Sequence, residues 1–326
     1  MNDHESNPGP AVSSQQESDT ESKQRVPGGS GWDSIGWYEW WRRRVVNVCL
    51  ILMIVYIGLL VALVFAEPML VYPAPKLDAA RRQTLRDQGP AAFQPVQFQS
   101  RDGIELHGHY LPFEGSDRYI LMCHGNGEDR DTGIWHAEEM RQRCRSNVLL
   151  FDFRGYGESG GKPNQAGILQ DGEAAMDWLV DEKQISPDRV IVYGRSLGGA
   201  VAVYLGKHRD PRGLVLSRTF NSMVSVASNK YPIFPVYWLM QNRYPSQQWI
   251  AEIKQPILQL HGDADRVVPI QHGYALRDAA TSQDYTFVEQ PGIGHNSRQS
   301  ESGWNAIVTF IDRMYADEQL RDPIVP

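Results

Sequence analysis

Hydrophobic and polar positions divide this chain into two unlike parts. Val45 to Ala66 is 22 residues long without a charge, and at about 1.5 Å rise per residue a helix of that length crosses the roughly 30 Å hydrocarbon layer of a bilayer. Beyond it the apolar residues come in short runs. Val96 to Ser100 and Ile104 to Leu111 read as strands joined by the turn Arg101-Asp102-Gly103. Tyr119 to Cys123, Asn147 to Phe153, Arg189 to Tyr193, Gly213 to Leu216, Pro256 to Leu260 and Tyr285 to Glu289 follow. These are rich in Val, Ile and Leu on consecutive positions, the pattern of strands covered on both faces. Helical periodicity fills the gaps at Trp135 to Arg145, Gly167 to Val180, Leu197 to Arg209, His272 to Ala280 and Trp304 to Tyr315. Strands alternating with helices predict an α/β fold, with a mostly parallel sheet between helical layers.

The flanks of the apolar run fix its meaning. Trp32, Trp37, Trp40 and Trp41 precede it and Arg42, Arg43 and Arg44 stand at its edge, the aromatic belt and cationic anchor of a spanning helix. The run exceeds the about 7 to 15 apolar residues of a signal peptide, so a retained anchor is expected although Val64-Phe65-Ala66 resembles a weak cleavage site. The triple arginine favours a cytoplasmic N-terminus and an extracytoplasmic domain; Lys76, Arg81, Arg82 and Arg86 on the far side pull the other way. The expected organisation is a disordered polar tail over 1–31, a membrane-interface segment over 32–44, the transmembrane helix over 45–66, a Pro-containing connector over 67–95 and one domain over 96–320.

Composition narrows the partners. With 32 Lys+Arg against 39 Asp+Glu the net charge is -7, so the electrostatic footprint of a nucleic-acid binder is missing. Three cysteines cannot complete a disulfide framework. Cys49 falls in the apolar run, while Cys123 and Cys144 read as buried thiols. No glycine-rich nucleotide loop follows a strand, and His107-Gly108-His109 has no recognisable third ligand, so neither cofactor nor metal is expected.

In open sheets of this kind ligands bind beyond the carboxyl ends of the strands. There, Gly194-Arg195-Ser196-Leu197-Gly198 follows a strand and opens a helix, the G-x-S-x-G pattern of a nucleophile elbow. A serine hydroxyl stays protonated near neutral pH, so it needs a base within hydrogen-bonding reach. His295, among the glycines of Gly292-Ile293-Gly294-His295, is the best-placed base. His208 and His261 read as structural, and His272 as a solvated or capping residue. The loop after the Pro256 to Leu260 strand offers Asp263 and Asp265; Asp265 is the expected orienting acid, while Asp263 suits an Asx turn. The N–H of Leu197 and that of Asn126, in His124-Gly125-Asn126-Gly127, are the expected donors of an oxyanion hole.

These motifs, with Cys123-His124-Gly125-Asn126-Gly127 and Asp152-Phe153-Arg154-Gly155-Tyr156-Gly157-Glu158-Ser159, make residues 70 to 315 resemble the α/β-hydrolase superfamily. More narrowly, the chain resembles membrane-anchored hydrolases of the serine-aminopeptidase-like branch, which includes esterases, acylglycerol lipases and depalmitoylases. The resemblance implies an eight-stranded sheet, Ser196, Asp265 and His295 as triad, and Asn126 with Leu197 as oxyanion hole. Ser217-Arg218-Thr219-Phe220 departs from the relatives' pattern of an acidic residue there, so Asp265 is left as the acid and Arg218 is expected near the site entrance. Residues 218–255 form a short cap containing Tyr231-Pro232-Ile233-Phe234-Pro235-Val236-Tyr237-Trp238-Leu239-Met240, either an apolar wall over the serine or ordinary packing on the sheet. The expected activity is cleavage of a small or lipid-derived carboxylic ester, thioester or amide through an acyl-enzyme. The alternatives are a peptidase-type activity or an idle binding protein on the same fold.

Overall fold

The computed structural model describes residues 34–74, 77–90 and 93–316. The tail expected over 1–31, Trp32, and Pro75 with Lys76 of the connector lie outside them. Residues up to Gly58 form one unit and those from Leu59 another. Helix α1 (Ser34–Val71) is 38 residues long, longer than the uncharged run because residues 34–44 before it and the first connector residues after it are helical too. The Arg44 guanidinium lies 4.1 Å over the Trp40 ring. Among the described residues one helix is thus long and apolar enough to cross a membrane.

The rest of the connector holds a helix absent from the periodicity. Helix α2 (Ala79–Asp87) is N-capped by Asp78, which accepts from the Arg81 N–H at 2.7 Å. No apolar stripe marks it, because ion pairs rather than hydrophobic burial attach it. Arg82 reaches the buried carboxylates of Asp129 and Asp131 at 2.9 and 3.0 Å, and Arg86 reaches Asp131 at 2.9 Å.

Eight strands make one sheet: β1 (Gln94–Gln99), β2 (Glu105–Leu111), β3 (Tyr119–Cys123), β4 (Asn147–Phe151), β5 (Val190–Arg195), β6 (Gly213–Ser217), β7 (Ile257–Gly262) and β8 (Tyr285–Gln290). Their order is β1-β2-β4-β3-β5-β6-β7-β8. β1 and β2 are antiparallel neighbours, β2 meets β4 antiparallel, and the pairs from β4 to β8 are parallel.

Period-two alternation explains why the strands are apolar throughout. Leu121 and Cys123 of β3, Leu149 and Phe151 of β4, and Val190 and Val192 of β5 face one core. It is filled by α4 (Gln165–Lys183), α5 (Leu197–His208), α8 (Ser246–Ile250) and α9 (Gln271–Ala279). The intervening Ile120, Met122, Val148, Leu150, Ile191 and Tyr193 face a second core. It is covered by α3 (Arg130–Cys144) and α10 (Glu301–Ala316). Side chains pointing to opposite sides of each strand are therefore both removed from water.

Helix α3 begins a turn before the expected Trp135. Asp129 accepts from the Thr132 N–H at 2.8 Å while Thr132 Oγ1 accepts from the Asp129 N–H at 2.9 Å, a reciprocal cap worth about 1 kcal/mol. Between β6 and β7 lie α6 (Met223–Lys230), α7 (Val236–Leu239) and α8, which build the cap. The chain leaves β3 toward β4 on one side and reaches β5 on the other. This reversal opens a crevice at the carboxyl ends of β3 and β5, where such sheets take ligands.

Candidate active site

Ser196 stands between β5 and α5 at φ 51°, ψ -113°, a backbone conformation that costs a non-glycine residue about 1–3 kcal/mol. The neighbouring glycines make the bend possible. A Cβ on Gly194 would collide with the Gly198 carbonyl, and one on Gly198 with the Cys123 carbonyl. Two bonds hold the elbow: the Ser196 N–H donates to the Ser217 carbonyl at 3.0 Å, and Thr219 Oγ1 donates to the Ser196 carbonyl at 2.7 Å.

The structure brings the three expected side chains together. His295 Nε2 lies 3.1 Å from Ser196 Oγ, and His295 Nδ1 lies 2.7 Å from Asp265 Oδ2. Asp265 Oδ1 accepts from the Val267 and Val268 N–H groups at 2.9 and 2.8 Å. Burial alone would raise the Asp265 pKa. The hydrogen bond from His295 and those from the Val268 and Val267 amides outweigh it and hold the group below the usual carboxylate range. An ionised Asp265 fixes the imidazole with Nδ1 protonated and leaves Nε2 free to accept the serine proton.

The loop carrying His295 follows β8, and polar tethers secure it. Its carbonyl accepts from Arg218 at 3.0 Å and from Arg195 at 2.9 Å, and Arg218 also donates to the Ser297 carbonyl at 2.6 Å. Arg218 is thus buried behind the histidine rather than standing at the entrance. Its φ of 49° turns the chain after β6 so that the guanidinium points under the loop. Burial lowers the pKa of both arginines, that of Arg195 to about 10 with the nearby Arg218 adding to the effect.

Asp263 makes no local Asx turn. It accepts instead from the Gly292 N–H at 2.7 Å, joining the acid loop to the histidine loop. A side chain on Gly262 would strike the Ile293 carbonyl, which explains the glycine there. His272 is not solvated: it is buried, with Nδ1 2.7 Å from Asn221 Oδ1. His261 is buried too and donates from Nε2 to the Val268 carbonyl at 2.8 Å, supporting the acid loop. Cys123 and Cys144 are buried thiols whose pKa burial raises.

Leu197 is the first residue of α5, so its N–H has no partner within the helix. The second expected donor belongs to a braced loop. The Asn126 side chain donates to the Val71 carbonyl at the end of α1 and accepts from the Tyr156 hydroxyl at 2.5 Å. Glu128 accepts from the Gly125 N–H at 2.9 Å and pairs with Arg195, linking this loop to the elbow. Sequence patterns assigned no supporting role to Arg195, Glu128 or Tyr156 and placed Arg218 at the entrance; all four hold the loops of the reactive residues by hydrogen bonds.

A cavity of about 390 Å³ opens onto Ser196 and His295, within the roughly 300–1,000 Å³ of small-molecule sites. The cap supplies much of its wall, including Met223, Val226, Tyr231, Phe234 and Leu239, so the segment forms an apolar wall over the serine. Leu63, Val64 and Leu70 of α1 complete it. Glu67 is the single carboxylate among the described lining residues, and it already accepts from the Asn242 N–H at 2.8 Å and from Asn242 Nδ2 at 2.9 Å.

Comparison with known proteins identifies the family of the fold. Residues 146–317 match the prolyl oligopeptidase family. An uncharacterised protein of Mycobacterium tuberculosis is 37% identical over 214 residues, covering 65% of this chain and 75% of that one. The alpha/beta hydrolase domain-containing protein WAV2 of Arabidopsis thaliana is 31% identical over 252 residues, 71% of this chain and 82% of its own. Among solved structures, an esterase of Pyrococcus furiosus superposes with a TM-score of 0.59 at 17% identity, over 76% of this chain and 96% of the esterase. The chain belongs to the prolyl oligopeptidase family within the α/β-hydrolase superfamily and is a serine-type hydrolase.

Proposed function

We propose that this protein is a membrane-anchored acyl hydrolase that cleaves a carboxylic ester or thioester, its domain of about residues 96–320 carrying a short cap at about 218–255. The observation that carries the reading is the line from Ser196 Oγ through His295 to Asp265, at 3.1 and 2.7 Å, beside an apolar cavity. Ser196 Oγ attacks the carbonyl carbon as its proton passes to His295 Nε2. The Leu197 and Asn126 N–H groups stabilise the oxyanion, and the imidazolium returns the proton to the leaving group. Water then enters by the same base and releases the acid. Helix α1 anchors the enzyme, and Arg42, Arg43 and Arg44 support a cytoplasmic N-terminus.

Amide cleavage is the nearest alternative, given the family's name. The apolar lining favours an acyl chain over a peptide, because the one lining carboxylate is engaged by the cap backbone and not free for a peptide amine. The purified full chain should hydrolyse p-nitrophenyl esters with an initial burst, and Ser196→Ala should not. Equal turnover by both forms would exclude the mechanism.

A further inference from the structure

The last turns of α1 form one wall of the cavity. Leu63, Val64, Glu67, Leu70 and Val71 all line it, and their spacing is that of a single helical stripe. Outside this stripe, Phe65 and Met69 are 82% and 81% exposed. Leu63 and Val64 belong to the uncharged run that ends at Ala66. If that run spans the bilayer, these two residues lie at the edge of its hydrocarbon layer. The Val71 carbonyl, which accepts from Asn126 of the oxyanion loop, lies seven residues further along the helix, about 10 Å at 1.5 Å per residue. The headgroup zone on each side of a bilayer is roughly 5–8 Å deep. On that placement the cavity would run from hydrocarbon depth to a reaction centre just beyond the headgroups. Ile233, Tyr237 and Trp238 of the cap, outside the cavity lining, are 75%, 59% and 82% exposed, a concentration of large apolar side chains of the kind that marks a membrane or partner surface.

On the anchored-hydrolase reading, we propose that the substrate is an acyl lipid resident in the bilayer, whose chain slides into the cavity along the Leu63–Val71 face of α1 without crossing water. The anchor helix is then part of the acyl-binding wall as well as a tether. The apolar cap surface at Ile233 and Trp238 sits in the same membrane interface beside the opening.

The test uses the full chain in phosphatidylcholine vesicles with two probes, bilayer-embedded 4-methylumbelliferyl palmitate and water-soluble p-nitrophenyl acetate. At constant total substrate, a fivefold surface dilution with inert lipid should lower palmitate turnover about fivefold and leave acetate turnover unchanged. Val64→Trp, which fills the wall from the helix side, should lower palmitate turnover at least tenfold relative to acetate. If it fails to insert, Leu63→Trp probes the same wall. Palmitate turnover indifferent to surface dilution, or a palmitate-to-acetate ratio unmoved by either tryptophan, overturns lateral entry even while acetate hydrolysis upholds the hydrolase. Loss of both activities in the unmodified chain would defeat the hydrolase reading itself.

Discussion

Arg218, fully buried after β6, donates to the main-chain carbonyl of His295 at 3.0 Å. With Arg195 on the same oxygen, two guanidiniums set the height of the imidazole over Ser196. Arg218→Met should lower kcat about 10²-fold with KM little changed, since misplacing a base by about an ångström has that cost. The Ser297 carbonyl loses its donor while that of His295 keeps Arg195, so stability should fall by about 1–3 kcal/mol. Arg218→Lys should recover part of the rate, because a lysine keeps the charge but lacks the planar fork. Ester kinetics together with urea unfolding in detergent check both parts.

Ser196 holds a strained backbone for the sake of its position. Ser196→Gly should abolish activity and yet stabilise the fold by about 1 kcal/mol, the relief of strain exceeding the added chain entropy. Thermal unfolding should show a Tm roughly 2–4 °C higher than that of the parent. A lower Tm would mean that the elbow is not strained.

The Asn126 side chain bridges the Val71 carbonyl and the Tyr156 hydroxyl. Asn126→Ala leaves the backbone N–H in place but unbraced, so kcat should fall about tenfold or more, with Tyr156→Phe milder. Steady-state ester kinetics distinguish this from lost binding, which would appear in KM instead.

His124, just before that loop, is buried and its pKa is lowered to about 4 by desolvation, the hydrogen bond to the Gly125 carbonyl opposing. A histidine kept neutral in the fold but charged when unfolded binds more protons in the unfolded state below its ordinary pKa. Its contribution is intact above pH 6.5 and is lost as pH falls toward 4, by up to about 3 kcal/mol. His124→Asn, which keeps a donor for Gly125, should flatten the acid limb of a stability profile measured by urea unfolding at successive pH values.

Much of this was legible because local chemistry and periodicity agreed. The apolar runs mark the strands, since both faces of the sheet are covered. The glycines around Ser196 mark a place where backbone passes backbone, and Gly292 before His295 turns the chain at positive φ. The groups that resisted reading act through tertiary polar contacts that leave no period. Helix α2 is attached by Arg82 and Arg86 to Asp129 and Asp131, far along the chain. The arginine expected at the entrance lies behind the histidine, because the residue after β6 turns at positive φ. Asp263 ties two loops together where a local turn was expected. In each case the partner stands dozens of residues away, and only folding brings it near.

The central claim is that Ser196 is the nucleophile, activated by His295. The most direct measurement is fluorophosphonate labelling of the full chain in detergent, followed by peptide mapping of the adduct by mass spectrometry. The account predicts one adduct, on Ser196, absent in Ser196→Ala and at least 10³-fold slower to form in His295→Gln. An adduct on another residue, or labelling of Ser196 at an undiminished rate without His295, would contradict it.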